Sequence, residues 1–140
     1  MKQLLLVYSS QTGRTERLMR AAAEGAAEFA DEVNCQLKRA PEAGIDDLLA
    51  ADGLLIGSPE NFGYLSGLVK DFLDRTYYPA EGKTIALPYA VLISAGNDGS
   101  GAVSALQRIA SGYRWKLIAP ALIIKGEPDT AGLTQARELG

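Results

Sequence analysis

The chain has 140 residues, of which 47% are hydrophobic and 22% charged, and its formal net charge is −3. That length suits one domain over residues 1–140 with a sizeable core, and the acid excess argues against a nucleic-acid binder, which shows a basic patch or stripe. There is no histidine and one cysteine, Cys35, which excludes His-based metal sites, His general bases and an intrachain disulfide.

Residues 4–8, Leu-Leu-Leu-Val-Tyr, form a continuous apolar run of the kind buried on both faces of a sheet. The run is too short for a signal h-region, and no segment approaches the ~18 apolar residues of a membrane span. A cytoplasmic address is therefore expected. The polar turn 9–13 leads into a helix expected over 14–29, with Leu18, Ala22, Ala26 and Phe29 facing inward and Thr12 or Gly13 as N-cap. Val33, Cys35 and Leu37 alternate with Asn34, Gln36 and Lys38, the pattern of a half-exposed edge strand. Cys35 reads as a small core residue.

Pro41 to Gly44 breaks the chain, and 45–51 is a short helix at best. A second buried run, 53–56, closes in Gly57-Ser58-Pro59, and 60–67 is irregular. Residues 68–75 read as a helix with Leu68, Phe72 and Leu73 inward, and 77–82 as a connection. A third buried run, 89–94, follows Pro88. The glycine-rich loop 95–101 precedes a helix over 103–113 with Leu106, Ile109 and Ala110 on one face. The last strand, 117–124, is interrupted by Pro120, a residue tolerated in sheets mainly at edges or strand starts. Residues 130–140 carry a weak helical pattern around Leu133, Ala136 and Leu139.

Strands alternating with helices imply an α/β parallel sheet covered on both faces. Ligands of such sheets bind beyond the carboxyl ends of the strands, near the point where strand order reverses. Three strand-to-helix loops, 9–15, 58–67 and 95–101, concentrate Gly, Ser, Thr and Asn, and the loops at the opposite end do not. In the first loop Ser9, Ser10, Thr12 and Thr15 supply hydroxyls and Gly13 permits close backbone approach. The helix start points free N–H groups at an anion. A phosphate fits this loop; so does ordinary helix capping.

Other motifs fail on inspection. Gly82-Lys83-Thr84 ends like a Walker A loop, but Tyr77 stands where the earlier glycine is needed. A receiver domain needs carboxylates after the first strand, where Tyr8 and Ser9 stand. A Cys-dependent phosphatase needs its Cys in the first loop, and Cys35 lies mid-strand. Gly99-Ser100-Gly101 is not a nucleophile elbow, and no His completes a triad.

Residues 6–15, Leu-Val-Tyr-Ser-Ser-Gln-Thr-Gly-Arg-Thr, resemble the flavodoxin phosphate-loop signature. Met19 departs from it where Ala is usual, and Ala22 where an aliphatic is usual. The segment from Gly57 through Pro59, Phe62-Gly63, Ser66-Gly67, Lys70 and Phe72-Leu73-Asp74 resembles the matching stretch of flavodoxin-like NAD(P)H:quinone oxidoreductases. NADPH-dependent FMN reductases carry a related Pro-Glu loop. The third loop is similar to the family's glycine-rich flavin loop, and the resemblance covers residues 4–124.

The resemblance implies a flavodoxin-like three-layer sandwich with a five-stranded parallel sheet in the order 2-1-3-4-5, and FMN as cofactor. It implies phosphate binding by Ser9, Ser10, Gln11, Thr12, Gly13, Arg14 and Thr15. The ring would lie between Pro59, Glu60, Asn61, Phe62, Gly63 and Tyr64 on one side and Ala95, Gly96, Asn97, Asp98, Gly99 and Gly101 on the other. No catalytic side chain and no metal are implied, because flavin N5 carries the chemistry. The implied partners are NAD(P)H and a quinone-like or protein electron acceptor, with a homo-oligomer in keeping with related reductases. Two alternatives share these residues: a flavodoxin-type one-electron carrier, which a charge of only −3 weakens, and a domain that has lost FMN. Glu60 and Asp98, if near the ring, disfavour an anionic reduced flavin; if solvated, they leave it unaffected.

Overall fold

Successive side chains of the first strand point to opposite faces of the sheet, and here both faces are apolar. Leu5 and Val7 pack on one side with α-helical residues that include Val69, Phe72 and Leu106. Leu6 and Tyr8 pack on the other with Leu18, Met19 and Ala136. In the computed structural model, which describes residues 2–139, the strands are β1 (Lys2–Tyr8), β2 (Val33–Arg39), β3 (Gly53–Pro59), β4 (Pro88–Ala95), β5 (Lys116–Leu117) and β6 (Leu122–Lys125). The helices are α1 (Arg14–Ala27), α2 (Ile45–Ala50), α3 (Gly67–Ala80), α4 (Ser100–Tyr113) and α5 (Thr130–Leu139), with a 3-10 turn at Ala40–Glu42.

The strands named above all pair in parallel, in the expected order β2-β1-β3-β4-β5. The sheet differs from the five-strand expectation only at its far edge. There the last strand is cut in two around Pro120, and β5 and β6 pair in turn with the lower and upper parts of β4. A proline nitrogen has no hydrogen to give to the ladder, so the break falls on an edge where β4 still has partners at both ends. The three-layer arrangement follows from the cores: α1 and α5 cover one face, and α2, α3 and α4 the other.

Three local expectations are corrected. Helix α1 stops at Ala27, and Phe29 is 57% exposed rather than inward. The chain has to turn there to enter β2, and the Val33 amide donates to the Phe29 carbonyl at 2.9 Å. Leu68 is 48% exposed, and Val69 is buried in its place. The Ser66 cap sets the phase of α3, so that 69, 72, 73, 76 and 80 share the inner face. The same helix also continues through the expected connection 77–82 as far as Ala80, with Pro79 in its last turn. A proline this close to the C-terminus removes one intrahelical bond; in the same turn Tyr77 packs edge-on against Tyr113 at 5.2 Å between centroids.

Met19, the departure from the phosphate-loop signature, is fully buried. A Cβ on Gly57 would lie 2.5 Å from its sulfur. A longer side chain on α1 is thus accommodated by a missing one on β3. Cys35 is half-buried on the edge strand, and burial pushes its thiol pKa up.

Candidate functional site

Because every strand runs the same way, the loops after β1, β3, β4 and β6 all emerge on one rim. The first is shaped by Gly13, which sits in the left-handed region at φ 91° as the N-cap of α1. Its amide donates to Ser10 Oγ at 3.0 Å, closing a tight hydroxyl-backed turn. Nothing lies within 4 Å of where a Gly13 Cβ would stand, so the backbone is open on that side. Ser9 and Thr15 are buried, Ser10 is half-buried, and Gln11 and Thr12 are exposed. The amides at the head of α1 have no acceptors within the helix, and the helix dipole favours an anion beside them.

The second loop is a two-residue hairpin. Asn61 and Tyr64 exchange backbone hydrogen bonds of 2.8 and 3.0 Å, and both central residues, Phe62 (φ 52°) and Gly63 (φ 74°), are left-handed. This is the primed turn that glycine and asparagine favour. A phenylalanine in that conformation is an uncommon, strained choice. Phe62 is also 107% exposed, at the tip of the hairpin, with Tyr64 42% exposed beside it.

Two side-chain links join the loops. Ser9 Oγ and Ser66 Oγ are hydrogen-bonded in the buried floor, tying the first loop to the second. Ser66 is held in turn, because its amide donates to Ser58 Oγ at 3.0 Å. The Glu60 carboxylate ties the second loop to the third. Its Oε1 accepts from the Gly99 amide at 3.0 Å, and its Oε2 from the amides of Gly101 at 3.1 Å and Ala102 at 3.3 Å. Hydrogen bonds to a charged group contribute about 1.5–3 kcal/mol each, so this clamp is stronger than an ordinary hydroxyl cap. It shows how Glu60 is used: the half-buried carboxylate is engaged by the amides at the start of α4. Asp98 is exposed and accepts from Ser100 Oγ.

The third loop closes against the second. Gly99 is left-handed at φ 88°, and a Cβ on Gly101 would collide with the Gly63 carbonyl. Ala95 is buried at the end of β4, while Gly96 and Asn97 are exposed. Pro59 ends β3. The residues singled out from sequence therefore fall on three loops that the fold draws to one rim.

A fourth loop, unnoticed in the sequence, joins the rim. The Gly126 amide donates to the Ala95 carbonyl at 2.8 Å. Glu127 then pairs with Arg14 at 3.0 Å and with Arg17. The two guanidiniums, Arg17 first, hold its carboxyl below the usual range. Arg14, the cation nearest the first loop, is thus already partnered. The signal was present in Gly126-Glu127-Pro128-Asp129, a turn-like string directly after a strand. Ser58 and Ser66 were also passed over as site residues; their hydroxyls form the floor. Among the described residues, no His, Cys, Asp and Glu cluster could hold a metal ion, and no helix is long and apolar enough to cross a membrane.

A doubly wound parallel sheet in this order, with its polar loops gathered at the carboxyl ends of β1, β3 and β4, defines a flavodoxin-like α/β protein. The chain matches the family model for NADPH-dependent FMN reductase over residues 1–127, and it belongs to that family. FMN is accordingly its cofactor. It is 39% identical over 74 residues to a flavodoxin of Aquifex aeolicus, covering 53% of this chain and 40% of that protein. It is 31% identical over 121 residues to an NAD(P)H dehydrogenase (quinone) of Acidithiobacillus ferrooxidans, covering 72% and 60%. The chain therefore spans roughly half the length of these curated relatives. An archaeal flavodoxin superposes with a TM-score of 0.87 at 20% identity, over 98% of this chain and 92% of that one. Flavodoxin 1 from Bacillus cereus superposes at 0.84 and 17%, over 99% and 94%. Likeness at such identities speaks for the fold alone.

The residues present fit that cofactor. The first loop offers hydroxyls and open backbone with no unpaired carboxylate among its own residues. At the other end stand the exposed aromatics Phe62 and Tyr64, and a Cβ built on Gly63 or on Gly96 would meet nothing within 4 Å.

Proposed function

We propose that this protein is an NAD(P)H-dependent oxidoreductase that uses FMN at this rim and passes electrons to a quinone-like acceptor, with its loops acting as parts of one domain. The observation that carries the reading is the double link, Ser9 to Ser66 and Glu60 to Gly99, Gly101 and Ala102, which holds three distant loops as one preformed surface. Bound FMN supplies a two-electron acceptor and donor at its N5 position.

The chain's own residues bind and orient. Ser10, Thr12 and Thr15, with the amides heading α1, receive the phosphate, and the helix dipole offsets its charge. Backbone groups of Phe62 and Gly63 at the hairpin tip and of residues 96–98 orient the ring. Phe62 and Tyr64 give it apolar surface and exclude water. The Glu60 carboxylate keeps its negative charge while bonded to the amides at the start of α4, and the positive end of that helix dipole offsets part of it. A hydride donor and a flat acceptor can use the same ring in turn, so no side chain has to act as acid or base.

The test is anaerobic mixing of the purified protein, loaded with FMN, with NADPH and separately with NADH. Loss of flavin absorbance within seconds, reversed by a benzoquinone, supports the reading. A bound flavin that ignores both nicotinamides overturns it. That result favours a one-electron carrier instead, a reading that the similarity to the Aquifex flavodoxin supports.

A further inference from the structure

We infer that Glu60 is a positioning residue that sets the gap between the second and third loops, and so the ring-binding half of the site, without itself contacting the cofactor. This rests on the reading that FMN binds at this rim.

Three observations converge on it. The Glu60 amide donates to the Ser94 carbonyl at 2.9 Å, which anchors the residue to the neighbouring strand β4. Both oxygens of its carboxylate are engaged by backbone amides of the β4–α4 connection, at Gly99, Gly101 and Ala102. Gly101 lies so close to the Gly63 carbonyl that a methyl group at 101 has no room. The carboxylate pulls the third loop in, and the Gly101–Gly63 contact stops it. The separation of the two loops is thus fixed from both directions.

The lever is selective. The phosphate loop is tied to the second loop through Ser9 and Ser66, a different link with no shared atom. Loosening Glu60 should therefore weaken the ring end and leave the phosphate end intact. An acid is needed here in preference to an amide, because all three facing groups are donors. A glutamine offers one acceptor and presents its own NH2 to the remaining amides.

The experiment titrates the full chain, stripped of flavin, with FMN and with riboflavin, for the wild type and for Glu60→Gln and Gly101→Ala. The first variant removes the pull, and the second moves the stop. Each is expected to weaken FMN and riboflavin together, by about tenfold, leaving the ratio of their two affinities within twofold of the wild type. Amide hydrogen exchange, which needs no ligand, is expected to show Gly99, Gly101 and Ala102 losing protection in Glu60→Gln while the Gly13 amide keeps its own. Unchanged flavin affinity in Glu60→Gln, a loss confined to FMN, or amides that stay protected would each overturn the inference. If the wild type binds neither flavin, the FMN reading falls and this inference with it. Wild-type binding with indifferent variants removes this inference alone.

Discussion

The hydroxyls of Ser9 and Ser66, 57 residues apart in sequence, are hydrogen-bonded to one another beneath the rim. Each has a second duty: Ser9 leaves β1 for the first loop, and Ser66 Oγ caps α3 by accepting from the Val69 amide at 3.3 Å. Replacing Ser66 with Ala removes the cap and strands the buried Ser9 hydroxyl. The expected loss is about 1–3 kcal/mol of stability, read as a lower urea midpoint with an unchanged m-value. A change of m would instead mean that the compactness of the denatured or native state, or the two-state character of unfolding, had changed.

Phe62 offers a case where stability and binding move in opposite directions. Its φ of 52° suits asparagine, and Asn-Gly is the favoured pair for this turn. Phe62→Asn is expected to stabilise the protein by about 0.5–1 kcal/mol, since it relieves a left-handed aromatic. The same variant loses the exposed ring at the rim and should bind FMN several-fold more weakly. Thermal unfolding and a flavin fluorescence titration measure the two effects separately. A variant that is less stable and binds FMN as well as the wild type contradicts both halves.

Tyr113 contributes to the loss of stability at alkaline pH. Its hydroxyl donates to the Leu73 carbonyl and is paired with Thr76 Oγ1 at 2.7 Å, and burial is the main reason its pKa is pushed up to about 12. Above the ordinary tyrosine pKa of about 10, the unfolded chain releases this proton while the folded chain keeps it. Fewer protons on the unfolded state mean that stability falls as pH rises. The contribution is complete below about pH 10 and lost on passing through about pH 12. Tyr113→Phe should flatten that decline, as measured by urea unfolding across the interval, at a cost of about 1 kcal/mol at neutral pH.

Glu127 competes for Arg14 at the edge of the phosphate loop. Substituting Gln for Glu127 removes a negative charge and frees the guanidinium. FMN binding is expected to tighten about threefold at low ionic strength, with the gain shrinking as salt screens the surface charges. Riboflavin, which lacks the phosphate, should not respond. Isothermal titration of both ligands at two salt concentrations tests this, and an equal gain for riboflavin would place the effect elsewhere than at the phosphate.

Much of the architecture was legible from residue patterns. The apolar runs in β1, β3 and β4 reveal strands buried on both faces, because a sheet covered by helices leaves no polar side to encode. Alternation at Val33, Cys35 and Leu37 marks the edge strand for the converse reason. The gathering of small polar residues in three strand-to-helix loops points to the rim, since parallel strands must send all such loops to one end. The strand order itself came from the resemblance of those loops to a known family, not from periodicity.

Amino-acid order by itself determined which segments are apolar on which face, where the chain must turn, and therefore that these loops share an edge. These are consequences of backbone geometry over a few residues. Tertiary structure alone decided that Val69 and not Leu68 faces the core, that Glu60 grips the start of α4, and that Arg14 is claimed by Glu127 from 113 residues away. Such choices depend on which donors and acceptors meet once water has been excluded. Their free energies arise in the assembled molecule and leave no periodic trace along the chain.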